Sequence, residues 1–173
     1  MEIRELVKKA FQRDLSDPSA LNDAFDSLRL LEPEDFTLAH ERNKEVRRLS
    51  AKFATEQKSI RMFELNKRSL LFDAPYDFDA AIRYAEWDRE PKKKFYMPRR
   101  KQLLPVVQAM QRLSERKIRI LGVMAPPGVG KTTIELMFMV MEGLKNPDLS
   151  ILMGSHSNSF LRGAYEEVGR MLD

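Results

Sequence analysis

The residues best suited to chemistry form one run, Ala125-Pro126-Pro127-Gly128-Val129-Gly130-Lys131-Thr132-Thr133. It fits the phosphate-loop pattern G-x-x-x-x-G-K-[ST], with Ala125 in place of the first glycine. Successive backbone N–H groups and the positive end of a following helix can wrap an anionic triphosphate. Gly128 and Gly130 keep the backbone open where side chains would block that approach. Lys131 would reach the β- and γ-phosphates of ATP, and the Thr132 hydroxyl would join a Mg²⁺ shell, with Thr133 as the reserve hydroxyl. ATP and Mg²⁺ are therefore the expected cofactors.

Such a loop needs a strand before it and a helix after it. Lys117 to Met124 alternates briefly and then turns wholly apolar, as a buried parallel strand does. Ile134 to Met141 is apolar at seven of eight positions, which predicts a helix buried all round. Ser150 to Gly154 reads as a second strand, and residues 160–172 as a closing helix. The expectation is an α/β chain in the order strand, phosphate loop, helix, strand, helix. His156 would lie at the carboxyl end of the second strand, where such sheets place ligands. A lone histidine in a serine-rich turn reads as a loop or capping residue ahead of a catalytic one.

Just upstream lies a basic run, Lys92-Lys93-Lys94-Phe95-Tyr96-Met97-Pro98-Arg99-Arg100-Lys101. Its cations and aromatics suit phosphates and bases, although a solvated linker has the same composition. Pro98 suits the first turn of a helix to about Ser114. Because the run leads into the loop's strand, Arg99, Arg100 and Gln102 become candidates for the nucleotide's surroundings.

The first 90 residues read as helical. Ile3, Leu6, Val7 and Ala10 recur at helical spacing, and Leu21, Ala24, Phe25 and Leu28 form a second stripe. Glu32-Pro33-Glu34 would restart the chain as one long helix to about Arg68 with a thin apolar seam through Val46, Leu49, Phe53, Ile60 and Phe63. Leu70 to Tyr76 reads as a buried, proline-broken loop, after which Asp77 can cap a helix to about Asp88. Trp87 reads as an anchor between subdomains ahead of a nucleobase platform. No chemistry suggests itself in this region.

Composition bounds the rest. The chain has 173 residues, no cysteine and two histidines, which removes disulfides, thiolate nucleophiles and cysteine-based zinc sites. Neither a signal peptide nor an apolar run of about 18 residues is present, so a cytoplasmic protein without a membrane partner is expected. Residues 1–90 carry 16 Lys/Arg against 19 Asp/Glu, and residues 91–173 carry 14 against 7. The basic excess belongs to the loop half, where a polyanion partner is plausible.

Together, Phe95 to Arg100, Ala125 to Thr132 and Gly154-Ser155-His156-Ser157-Asn158-Ser159-Phe160 resemble the start of the large terminase subunit of tailed phages and prophages. That resemblance, over about residues 70–173, implies the opening of a RecA-like P-loop NTPase domain after a variable helical region. It divides the chain into a helical region at 1–90 and an ATPase part at 91–173. The latter has a basic adenine-side segment at 91–116 and a core at 117–173. It also implies an ATP-driven motor that packages double-stranded DNA into capsids in the bacterial host cytoplasm. Its partners would be a portal protein, a small terminase subunit and further copies of itself in a ring. Arg99, Arg100 and Gln102 would lie on the adenine side.

Two departures stand out. Many members of that family carry an arginine where this chain has Gly128. From Lys117 to Asp173 there are 57 residues, too few for the family's whole sheet, its Mg²⁺-holding acidic strand or its nuclease. An N-terminal fragment with little or no turnover is therefore expected, marginal alone or with its two strands re-paired directly. A non-catalytic remnant that binds nucleotide or DNA is the alternative, and another P-loop protein such as a helicase loader is the weaker one.

Overall fold

The computed structural model describes residues 2–155 and 157–172, and His156 lies outside them. The chain forms two compact units, Met1–Asp73 and Ala74–Asp173.

The first unit packs four helices, α1 (Ile3–Phe11), α2 (Pro18–Leu31), α3 (Phe36–Glu56) and α4 (Ile60–Asp73). Asp17 caps α2 by accepting from the Ser19 and Ala20 amides, with Pro18 in the first turn. Asp35 caps α3 through the Leu38 amide. Val7, Leu21, Phe25, Leu28, Leu31, Val46, Met62 and Leu65 form the core. The unbroken helix expected from residue 34 to 68 is two helices. They turn at Gln57-Lys58-Ser59, where Lys58 takes a left-handed φ of 48°. A lysine there costs roughly 1–2 kcal/mol against the α region, so packing must enforce the turn. The Ser59 hydroxyl then accepts from the Met62 amide. Pro33 lies in the α2–α3 turn rather than in a helix, and Leu70 and Leu71 belong to α4 rather than to a loop.

The seam between α3 and α4 is polar. Asn43 donates to the Ser69 carbonyl and accepts from the Ser69 hydroxyl, both at 2.9 Å. Asn66 donates to the Arg47 carbonyl at 2.8 Å and to the Ser50 hydroxyl at 3.0 Å. Buried Asp73 binds Arg47 on one side and His40 Nδ1, at 2.5 Å, on the other. These pairs fix the register of the two helices, because each buried polar group is costly unless its partner is in place.

The second unit contains α5 (Phe78–Ala85), a 3₁₀ turn (Pro91–Lys93), α6 (Tyr96–Ser114), α7 (Lys131–Lys145) and α8 (Asn158–Leu172). Its core comprises Phe78, Ile82, Tyr96, Leu103, Val107, Met110, Ile134, Met137 and Met141. Gln111 ties α6 to the start of α5, accepting from the Phe78 amide and donating to the Tyr76 carbonyl, both at 2.8 Å. Ser114 donates to Glu142 of α7 at 2.6 Å.

The expected α/β, RecA-like arrangement is not what forms. Among the described residues every regular element is helical, and there is no strand and no sheet. The two segments expected as strands, 117–124 and 150–154, form no regular structure, with bends at 117 and 119, and pair neither with each other nor with a third. In the first, Leu121 and Val123 pack on the helical core. Ile120 and Met124 stand in solvent at 89% and 100% exposure. An alternating apolar pattern specifies a half-buried extended segment; a sheet also requires a neighbour to take its backbone hydrogen bonds. Helix α7, expected to be buried all round, is covered unevenly, with none of its residues from 131 to 143 exposed. Ile134, Leu136, Met137 and Met141 are buried, while Phe138, Met139 and Val140 are half-buried. Helices α5, α6 and α8 supply that cover, and no sheet takes part.

Candidate functional site

Between the irregular segment 117–124 and α7, the chain makes a short glycine-bearing loop. Gly128 and Gly130 both have positive φ, 78° and 97°, so each uses a conformation that costs other residues energy. Gly130 is the N-cap residue of α7 and supplies no side-chain acceptor, so the first-turn amides of Lys131, Thr132 and Thr133 have no cap. Pro126, Pro127 and Gly128 are exposed; Ala125, Val129, Gly130, Lys131, Thr132 and Thr133 are half-buried. The Lys131 ammonium folds back across the loop and donates to the Ala125 carbonyl at 2.7 Å. A cation therefore stands over a backbone turn that leads into uncapped amides. Those features suit a phosphate, whereas the Thr132 hydroxyl would help hold Mg²⁺ only together with one.

The basic segment reaches this loop through an aromatic, Phe95, and not through its cations. A Cβ placed on Gly130 would come within 3.2 Å of the Phe95 ring, so that ring lies directly against the glycine. Phe95 is itself positioned by Glu86, at the C-cap of α5. The Glu86 carboxylate is completely buried and accepts from the amides of Phe95, Tyr96 and Met97 at 2.8, 2.9 and 3.1 Å. An anion so placed satisfies the free amides and the positive end of α6.

Of the three residues expected on the adenine side, Arg100 is committed elsewhere. It makes a two-pronged pair with Asp79 of α5, at 2.7 and 2.9 Å, and Tyr96 donates its hydroxyl to the same carboxylate at 2.6 Å. Burial alone would raise the Asp79 carboxyl, but the Arg100 and Tyr96 hydrogen bonds and the Arg100 and Arg83 charges outweigh it and hold Asp79 below its ordinary value. Burial and the Asp79 hydrogen bond push the Tyr96 hydroxyl well up. The Asp79 hydrogen bond also raises Arg100. Arg99 and Gln102 are exposed on α6, near exposed Lys92, Lys93 and Lys101 in sequence.

Sequence reasoning overlooked Glu86, and read Phe95 only as one aromatic of the basic run. An acid nine residues before an aromatic has no motif, since the pairing is made by the turn between α5 and α6. It also saw no constellation in the first unit, where His40 and Arg47 of α3 meet Asp73 of α4, 33 and 26 positions along the chain. Among the described residues no helix is long and apolar enough to cross a membrane. No family model, curated protein or solved structure matches the chain.

Proposed function

We propose that the loop from Ala125 to Thr133 binds the phosphates of ATP with Mg²⁺, and that the chain is the N-terminal, nucleotide-binding part of a terminase large subunit. On that reading it serves the packaging of double-stranded DNA in a bacterial host, with a portal protein, a small terminase subunit and a ring of like subunits as partners. One observation carries the proposal: two positive-φ glycines lead into an uncapped helix whose first residue, Lys131, holds its ammonium over the loop. Lys131 would bind and orient the phosphates, and the α7 amides would hold them. The cofactor would supply a phosphoanhydride, with Mg²⁺ neutralising its charge through the Thr132 side. Exposed Lys92, Lys93, Arg99 and Lys101 offer cations to the phosphates of DNA.

A second reading, a fragment that binds nucleotide or DNA and turns nothing over, is favoured by the unpaired segment that feeds the loop. Catalysis needs groups held to within about 0.5 Å, and a segment without ladder hydrogen bonds does not hold a loop that firmly. Little or no hydrolysis is therefore expected. Titration calorimetry with ATP and with inorganic tripolyphosphate, each with Mg²⁺, tests the site. Both should bind, and Lys131→Ala should weaken both at least tenfold. Equal binding by the variant would refute the phosphate site, and turnover abolished by Lys131→Ala would establish the motor reading over the fragment.

A further inference from the structure

The outer face of α4 has an arrangement that nothing above employs. At 3.6 residues per turn, Ile60, Glu64, Lys67 and Leu71 fall within an arc of about 60° and span about 16 Å. The opposite face buries Met62, Leu65, Asn66, Ser69, Leu70 and Asp73 in the first unit. Ile60 is 75% exposed and Leu71 49%; Glu64 is exposed and Lys67 half-buried. Phe63, 53% exposed, stands beside them. A water-facing helix crest normally places its charges at the summit and its apolar residues on the inner side. This crest has a large apolar residue at each end and one charge of each sign between.

The order is self-complementary when reversed. We infer that α4 is a docking face for a second copy of this chain, the two helices lying antiparallel about a two-fold axis midway between Leu65 and Asn66. In that register Ile60 of each copy meets Leu71 of the other, and Glu64 of each meets Lys67 of the other. An isologous contact makes every pairing twice, so two apolar pairs enclose two ion pairs. A parallel pair in register would set Glu64 against Glu64 and Lys67 against Lys67, so the charges choose the direction. The contact is one helix face wide, at the weak end of specific interfaces, so association belongs at protein concentrations of about 0.1 mM. A two-fold contact closes on itself, so it yields pairs and not rings.

Sedimentation equilibrium of the full chain tests this, with far-UV circular dichroism showing that each variant keeps its helices. The wild type should show a monomer–dimer equilibrium, weakened at least tenfold by Ile60→Asp. Glu64→Lys and Lys67→Glu should each be monomeric, because each sets like charges across the axis. An equimolar mixture of those two variants should associate as the wild type does, since one chain then presents two lysines and the other two glutamates. Should one single variant not fold, the double variant Glu64→Lys/Lys67→Glu decides: dimerisation supports the register, and a folded monomer overturns it. A wild type that stays monomeric to about 1 mM, or a mixture no better than its components, overturns it too and leaves the crest to a different protein.

Discussion

Replacing Glu86 removes the acceptor for three backbone donors at once. Its carboxylate receives the Phe95, Tyr96 and Met97 amides at 2.8, 2.9 and 3.1 Å, and its side chain has no contact with solvent. A hydrogen bond to a charged group contributes roughly 1.5–3 kcal/mol net, so simple addition would give about 4.5–9 kcal/mol. That overstates the loss. The Phe95 and Met97 amides are only partly buried, so water can reach them when the carboxylate is gone. The Tyr96 amide is buried and keeps its full desolvation cost of about 1–3 kcal/mol. Adding the lost helix cap, about 1 kcal/mol, places Glu86→Ala near 2–4 kcal/mol. Glu86→Gln retains one oxygen for Phe95 and Tyr96, loses the bond to Met97 and the negative charge, and should cost about 1–2 kcal/mol.

Trp87, the only tryptophan, is the next residue and makes urea unfolding followed by its fluorescence a local probe of the second unit. With a slope of about 1–1.5 kcal/mol per molar for a unit of this size, Glu86→Ala should lower the midpoint by about 1.5–4 M and Glu86→Gln by about 0.7–2 M. If Glu86→Ala leaves no folded baseline, the glutamine variant still carries the test. A midpoint within 0.3 M of the wild type for Glu86→Gln, about 0.4 kcal/mol, would refute the claim that this carboxylate holds the start of α6. Because Phe95 depends on the same carboxylate, both variants should also weaken tripolyphosphate binding.

Two further outcomes are expected. Asp79 is held below its ordinary value of 3.8, so its contribution to stability is fully present above that pH and is lost as pH falls through the lower folded value. Asp79→Asn should therefore lower stability at neutral pH and flatten the acid limb below pH 3.8, read from thermal melts across pH. An acid limb unchanged by the substitution would remove Asp79 from the account. In hydrogen exchange, amides 119–124 should exchange orders of magnitude faster than those of Leu103 to Met110 in α6, because they have no ladder partners. Protection equal to that of α6 would show that the segment is paired in solution.

What the sequence made legible was local. The cap at Asp77, the helical stripes of α1 and α2, and the glycine loop ending in Lys131 each follow from residues within a few positions of one another. What it hid was set by distant partners. The turn at Lys58 has neither glycine nor proline; the α3–α4 polar pairs enforce it, joining residues such as Asn43 and Ser69 that lie 26 positions apart. The pattern from Ile118 to Met124 was read as a strand because alternation is what half-burial produces, whether or not a second strand is present. Arg100 looked like a nucleotide ligand until Asp79 took the Nε edge of its guanidinium in a two-pronged pair.

Among the described residues, hydrogen bonds hold the segment from 117 to 125 at its two ends. At its start the Lys117 and Ile118 amides reach the Arg112 carbonyl, and at its end the Ala125 carbonyl takes the Lys131 ammonium. It is thus a cord tied at both ends, not a plank held by rungs. Whatever draws the lysine toward itself unties one knot, and the slack runs back along the cord to Leu121 and Val123, which cover the helical core. An anion in the glycine loop would then be felt under the helices without any helix having to move. For the same reason Lys131→Ala removes a ligand contact and a fastening together, so a second variant that spares the knot, Thr132→Val, is needed to tell the two losses apart.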